Sequence, residues 1–263
     1  VKGYGLLIPT GSPAIFSDLP QEDSYFYTEA DEELNYFFLY GPSFDRIIKG
    51  YRQLTGKAAM LPKWAFGYIQ SQERYETQEE ILRVASEIRE RKIGADVIVL
   101  DWHYWEDGLW GQKSFAKDRF PEPGKMMEQL HEKKLRFMIS VWPTMDEKSS
   151  DYQEMRKNGL LLPASDIYDP FNAEGRERYW KQAWDGLGRY GVDAWWCDSS
   201  EPFTPEWTKE EKPLPGKMYG EFLEQPQKML PADLGNAYGL FHAQGIYEGQ
   251  RSTVPHKRVM NLT

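Results

Sequence analysis

One cysteine, Cys197, occurs in the 263 residues, so no internal disulfide can form and cystine usage says nothing about compartment. It sits in the apolar run Ala194-Trp195-Trp196-Cys197, where the expected role is that of a small buried hydrophobe. Histidine is also scarce. His103, His131, His242 and His256 show no metal-ligand spacing, and His131 among Glu132, Lys133 and Lys134 reads as part of a solvated helix face. No metal and no cofactor is expected, since a nucleophile-elbow serine motif, a P-loop and a dinucleotide fingerprint are all missing. Clustered cations are absent too, and the formal net charge is −9, which excludes a nucleic-acid partner. No window approaches the roughly 18 apolar residues of a membrane span, so no membrane partner is expected. Residues 1–5 carry no charged leader before an apolar stretch, and the chain does not begin with Met. It therefore reads as a piece of a longer polypeptide. A cytoplasmic location is the expectation, with any secretion signal lying ahead of Val1.

What is present is a switch in periodicity. Residues 1–42 alternate apolar and polar positions between turn signals such as Pro9-Thr10-Gly11 and Gly41-Pro42, which predicts a small antiparallel region. Ser43 is a candidate N-cap for a connector helix within 43–62, with Phe44, Ile47, Ile48, Tyr51 and Leu54 at helical spacing and Gly56 ending it. From residue 63 the chain alternates strands and helices. Strands are expected at 64–71, up to Asp101, at 135–142 and up to Asp198; helices are expected at 77–92, 121–134 and 172–190. Thr77 and Glu80 form a capping-box pattern, and Pro121 marks the second helix start. Residues 203–231, with five prolines, read as an irregular excursion. A helix over 234–247 and the beginning of a fifth strand at 258–263 follow. Four β/α units in series require a parallel sheet, either doubly wound or closed into a barrel.

Two strand ends stand out. Val97-Ile98-Val99-Leu100-Asp101-Trp102 and Ala194-Trp195-Trp196-Cys197-Asp198-Ser199 are short apolar runs that stop at an aspartate. This is how a buried parallel strand delivers a carboxylate to one face of a sheet. One such aspartate alone is more often a cap or a loop ion pair. Two, each among Trp and Tyr, point to a binding face, because aromatic planes stack on pyranose rings while carboxylates accept hydrogen bonds from hydroxyls. Trp102, Tyr104, Trp105, Trp110, Trp142 and Trp196 all lie at or near strand ends, whereas Trp195 is expected in the core by alternation.

Four segments resemble glycoside hydrolase family 31 in order and spacing, most closely its α-xylosidase-like members. They are Leu100-Asp101-Trp102-His103-Tyr104-Trp105, Asp118-Arg119-Phe120-Pro121-Glu122-Pro123, Met138-Ile139-Ser140-Val141-Trp142-Pro143 and Trp195-Trp196-Cys197-Asp198-Ser199-Ser200-Glu201-Pro202. The resemblance implies an α/β fold, a (β/α)8 TIM barrel of which about the first half lies in residues 63–263, preceded by the end of an N-terminal β-sandwich at 1–42. It implies Asp198 as nucleophile and Glu201 as a supporting acid. Asp101 and Trp142 match substrate-binding residues of the family, and Trp102, Trp105 and Trp196 join them as substrate-binding candidates from their places at the strand ends. The family's acid/base aspartate comes from later strands, so the resemblance places it outside this chain, and residues 1–263 alone are expected to be inactive.

The activity so implied is that of a retaining α-glycoside hydrolase acting on α-linked xylosyl residues of an oligosaccharide or glycoside through a covalent glycosyl-aspartate. An α-glucosidase of the same family is the alternative; a non-catalytic carbohydrate-binding protein is the alternative of another class. Xylose is preferred on the expectation that Trp102 and Tyr104 crowd the space of a hydroxymethyl group. The open edges of a half barrel lead to an expectation of self-association into a homo-oligomer.

Overall fold

The computed structural model describes residues 3–21, 23–201 and 215–263. They divide into two units, residues 1–60 with 205–237 and residues 61–204 with 238–263. In the first unit, β1 (Tyr4–Leu7), β2 (Ala14–Ser17), β3 (Tyr25–Thr28) and β4 (Phe37–Tyr40) form two antiparallel pairs, β1 with β4 and β2 with β3. Along β1, β2 and β3 exposed and half-buried residues alternate, as a strand with one covered face requires. Helix α1 (Phe44–Thr55) follows Ser43, whose side chain makes no cap bond, and ends at Gly56 with φ +86°. That left-handed residue is one glycine adopts without steric penalty.

The second unit holds the parallel sheet. Its elements are β5 (Ile69–Gln70), α2 (Gln78–Glu90), β6 (Val97–Leu100), α3 (Pro123–Glu132), β7 (Arg136–Val141), α4 (Ser150–Lys157), α5 (Ala173–Gly186) and β8 (Ala194–Cys197). After them come α6 (Pro215–Gln227), which belongs to the first unit, and then α7 (Tyr238–Thr253) and β9 (Asn261–Leu262) of the second. The strands pair in sequence order, β5-β6-β7-β8-β9, all parallel. A doubly wound sheet reverses its order at a switch point, whereas a barrel does not. The curled sheet is therefore a partial (β/α) barrel.

Alternation along the strands sorts the core into two layers. Ile98, Leu100, Phe137, Ile139, Val141, Trp195 and Cys197 pack with Ile81, Ala85, Met127, Leu130, Tyr179 and Trp180 of the helices. Val97, Val99, Met138 and Ala194 form a separate cluster with Met260, flanked by Trp64, Ile69 and Trp196. The second cluster is the barrel interior. Trp195 is core, as alternation requires; its indole N–H donates to Gln250 Oε1 at 2.9 Å. Cys197 is a buried free thiol that donates to Asn261 Oδ1, and burial pushes it up to about 12.

Several expected boundaries move. The strand expected over 64–71 is only Ile69–Gln70, because residues Lys63–Phe66 form a 3-10 turn that tucks Trp64 and Ala65 against the barrel interior. Helix α3 starts at Pro123, which takes the first helical position where a missing N–H costs nothing, rather than at Pro121. His131 does not lie free on a solvated face: its Nε2 meets Asp193 Oδ2 at 2.6 Å and ties α3 to the start of β8. The excursion expected over 203–231 holds helix α6, since Pro215 falls at its first residue and Pro226 in its last turn. Residues 202–214 of that excursion lie outside the described residues. Residues 205–237 group with 1–60, and not with the barrel. Asn236 N–H donates to Gly11 O at 2.7 Å and its side-chain amide to Ser12 O at 3.1 Å. A side chain at Gly11 would meet Asp233 O at 2.5 Å, so only glycine allows that approach. Among the described residues no helix is long and apolar enough to cross a membrane.

Candidate active site

Asp101 and Asp198 follow β6 and β8 directly, and strand parity puts both on the interior side at the C-terminal ends of the strands. Val97, Val99 and then Asp101 share one face of β6; Ala194, Trp196 and then Asp198 share one face of β8. Between them on β7, Met138, Ser140 and Trp142 continue the same face. Leu100 lies opposite Ile139 and Val141 opposite Cys197, so the register places Asp101 beside Ser140 and Trp142 beside Asp198. The C-terminal end of the strands is where barrel folds carry their chemistry.

Both carboxylates use the same local device. Asp101 Oδ1 accepts from the N–H of Trp102 at 2.7 Å, and Asp198 Oδ1 accepts from the N–H of Ser199 at 2.9 Å. Burial pushes Asp101 up to about 6; the Trp102 N–H and the Ser140 hydroxyl oppose that shift, while the charges of Asp198 and Glu73 add to it. Asp198 is also raised, first by burial and further by the charge of Glu201, against the pull of the Ser199 N–H. The charge of Asp198 thus reaches Asp101 within a desolvated site. Glu201 itself is exposed.

The aromatic residues divide differently from expectation. Trp105 and Tyr104 are each 1 % exposed and belong to the core behind the sheet. Tyr104 donates to Ser140 O at 2.9 Å, and the Trp105 ring packs edge-on against Tyr104 and Trp110. Neither offers a face to a ligand, so Trp105 leaves the substrate-binding set and Tyr104 cannot crowd a hydroxymethyl group. The reason is a left-handed backbone at His103, φ +63°, which turns the chain back into the core after Trp102. Trp102 is half-buried, but Arg74 stacks over its ring at 4.7 Å and Trp110 packs at 5.4 Å. Trp142 is half-buried, held by Tyr179 donating to its carbonyl at 2.8 Å, and its indole N–H is buried without a hydrogen-bond partner among the described residues. Trp196 packs against the interior cluster, as an apolar floor below Asp198.

Glu73 and Arg74 did not stand out in the sequence, whereas Trp110 was already among the aromatics near strand ends. Both lie in a stretch between β5 and α2 with no motif, and only the sheet order brings that loop beside Asp101. Among the described residues no group of His, Cys, Asp and Glu could hold a metal ion.

The model of the glycosyl hydrolases family 31 TIM-barrel domain matches residues 58–263. The α-xylosidase of Saccharolobus solfataricus is 40 % identical over 268 residues, covering 100 % of this chain and 34 % of that protein. Alpha-glucosidase 2 of Bacillus thermoamyloliquefaciens is 25 % identical over 277 residues, again covering 100 % of this chain and 34 % of the relative. The crystal structure of the family 31 α-xylosidase of Xanthomonas citri superposes with a TM-score of 0.79 at 32 % identity, over 90 % of this chain and 27 % of that one. The chain thus spans 34 % of the length of each of these two curated relatives. With a family match across the whole parallel sheet and strands in barrel order, the chain belongs to glycosyl hydrolase family 31.

Proposed function

We propose that these residues form part of the active site of a retaining α-glycosidase that acts on α-linked xylosyl residues. The carrying observation is the pair of desolvated aspartates that strand parity and register place on the interior face at the ends of β6 and β8, with the charge of Asp198 acting on Asp101. In this reading Asp198 is the nucleophile. Its carboxylate oxygen bonds to the anomeric carbon as the glycosidic C–O bond breaks, and the leaving oxygen takes a proton from an acid outside residues 1–263. Water, deprotonated by that same group, then cleaves the glycosyl ester and regenerates Asp198. Asp101 accepts hydrogen bonds from hydroxyls of the sugar, and the unpaired indole N–H of Trp142 donates to one. Trp102 borders the site, Trp196 floors it, and Glu201 adds negative field at its open side. Partial burial suits a nucleophile, because a carboxylate stripped of water attacks without reorganising a hydration shell.

The preference for xylosyl over glucosyl rests on the α-xylosidases among the similar proteins, now that Tyr104 is known to be buried. The similarity to alpha-glucosidase 2 keeps the glucosyl reading as the alternative. The decisive experiment incubates the full-length polypeptide with a fluorinated α-xylosyl fluoride and maps the labelled peptide by mass spectrometry. A covalent sugar on Asp198 is expected. Turnover without a label on Asp198 refutes the assignment, and binding without turnover or label identifies a carbohydrate-binding protein instead. The ratio of kcat/KM for p-nitrophenyl α-xyloside and α-glucoside decides between the two sugars.

A further inference from the structure

Three consecutive carbonyls just beyond Asp101 are held by one short segment. Arg119 donates through Nη1 to His103 O and through Nη2 to Trp105 O, and the N–H of Ala116 donates to Tyr104 O at 2.8 Å. None of these carbonyls has a strand partner, since β6 ends at Leu100. The residue at the centre of this turn is His103, a non-glycine in the left-handed region at φ +63°. Such a backbone persists only where its surroundings over-determine it. Arg119 also lies 3.8 Å from Asp107 Oδ1, which meets His103 Nε2 at 3.0 Å, so both side chains converge on one carboxylate. On its other side, Arg119 O accepts from the N–H of Gln78, the first residue of α2. Arg119 therefore links the turn after β6, through its guanidinium, to the start of the preceding helix, through its backbone carbonyl.

We propose that Arg119 is a positioning residue whose guanidinium, by spanning the carbonyls of His103 and Trp105, fixes the left-handed turn that leaves Asp101 and Trp102 at the mouth of the site. The spacing is what demands arginine. A planar fork with five N–H donors reaches two carbonyls at once, while the ammonium of lysine is a single point. The effect on turnover rests on the function proposed above; the clamp itself does not.

The test uses Arg119→Lys and Arg119→Ala in the full-length polypeptide, read by two measurements. Hydrogen exchange followed by mass spectrometry should show faster exchange over residues 102–106 in Arg119→Lys, with residues 136–141 unchanged. On p-nitrophenyl α-xyloside, kcat/KM should fall by about tenfold or more, with KM rising, because displacement of a binding carboxylate by about an ångström carries penalties of that order. Loss of folded enzyme alone would lower kcat at constant KM. Millimolar guanidinium should partly restore Arg119→Ala and leave Arg119→Lys unchanged. Wild-type exchange over 102–106 in Arg119→Lys overturns the proposal whatever the activity. Faster exchange with a wild-type KM also overturns it, by showing a clamp that positions nothing. If the unmodified polypeptide cleaves neither arylglycoside, the proposed function has failed, and the exchange result still judges the clamp.

Discussion

The ends of β6 and β8 are built alike and supported differently. Each delivers an aspartate to the interior face, each aspartate accepts from the next N–H, and each has a left-handed non-glycine residue soon after, His103 at φ +63° two residues beyond Asp101 and Ser199 at φ +47° directly beyond Asp198. Beyond Asp101 the chain returns to the core: Tyr104 and Trp105 are buried, Arg119 grips the turn, and Asp101 is only 8 % exposed. Beyond Asp198, Ser199 is half-buried, Ser200 is buried again and Glu201 is exposed, while Asp198 itself is more open than Asp101. A group that reads hydroxyls gains from a fixed position, whereas one that forms and breaks a bond needs access on its open side. In the function proposed above, the same strand-end device would serve two tasks according to what holds the residues after it.

The largest expected effect breaks the β8 end. Asp198→Ala in the full-length polypeptide should lower kcat by several orders of magnitude, since in the proposed mechanism it removes the group that forms the intermediate. Azide should partly restore rate on an activated α-xyloside and give the β-xylosyl azide, because azide enters from the face Asp198 vacates. Turnover near that of the unmodified enzyme would remove Asp198 from the nucleophile role.

Next comes the core beneath the β6 end. Trp105→Ala should cost about 3–5 kcal/mol of stability, the usual range for deleting a buried large aromatic. Denaturant titration measures it. A loss under about 1 kcal/mol, within the range of surface substitutions and small adjustments, would mean that Trp105 is not the packed support the structure describes.

Asp101 itself gives two readings of opposite sign. Asp101→Ala should lower kcat/KM by an amount equivalent to about 2–4 kcal/mol, the scale for charge-assisted contacts that tighten in the transition state. Stability should move the other way in Asp101→Asn. The folded-state value is raised from 3.8 to about 6, so the native state binds the proton more tightly than the unfolded chain does. The resulting stabilisation is full below roughly pH 4 and is lost as pH rises through about 6, a difference of about 3 kcal/mol. Asn carries no charge to desolvate. Its melting temperature should therefore exceed that of the unmodified chain at neutral pH and converge with it near roughly pH 4. Equal melting temperatures at neutral pH would show that Asp101 is not desolvated.

Much of this comparison was legible in the sequence, and the exceptions have physical causes. An apolar run that ends in aspartate carries strand, direction and face together, so the two carboxylates and a parallel sheet were legible, whereas the residues alone left a doubly wound sheet and a barrel open, and the sequential strand order decides it. Trp105 and Tyr104 could not be placed, because their burial depends on one left-handed residue, and histidine carries no glycine-like signal for it. Arg119 lay inside the motif Asp118-Arg119-Phe120-Pro121, but its partners are carbonyls, which have no sequence signature. The 3-10 turn at Lys63–Phe66 reads as strand because Trp64, Ala65 and Phe66 are apolar without helical spacing. Helix α6 was hidden by prolines that occupy its ends, where they break few hydrogen bonds.

The smallest expected effect sharpens the contrast between the two ends. Glu73 is exposed, and its charge still raises Asp101, after burial and after the charge of Asp198. Glu73→Gln should therefore lower the Asp101 value, and Asp198→Asn should lower it more. Solvent screens the field of an exposed carboxylate more than that of a half-buried one. Neither substitution should bring Asp101 to its ordinary value, because desolvation is the leading cause and both leave it in place. Carbon-13 NMR titration of the aspartate carboxyls reads the order directly. An Asp101 value that stays put in Asp198→Asn would mean the two carboxylates do not share a field, and the case for a single site joining the ends of β6 and β8 would fall with it.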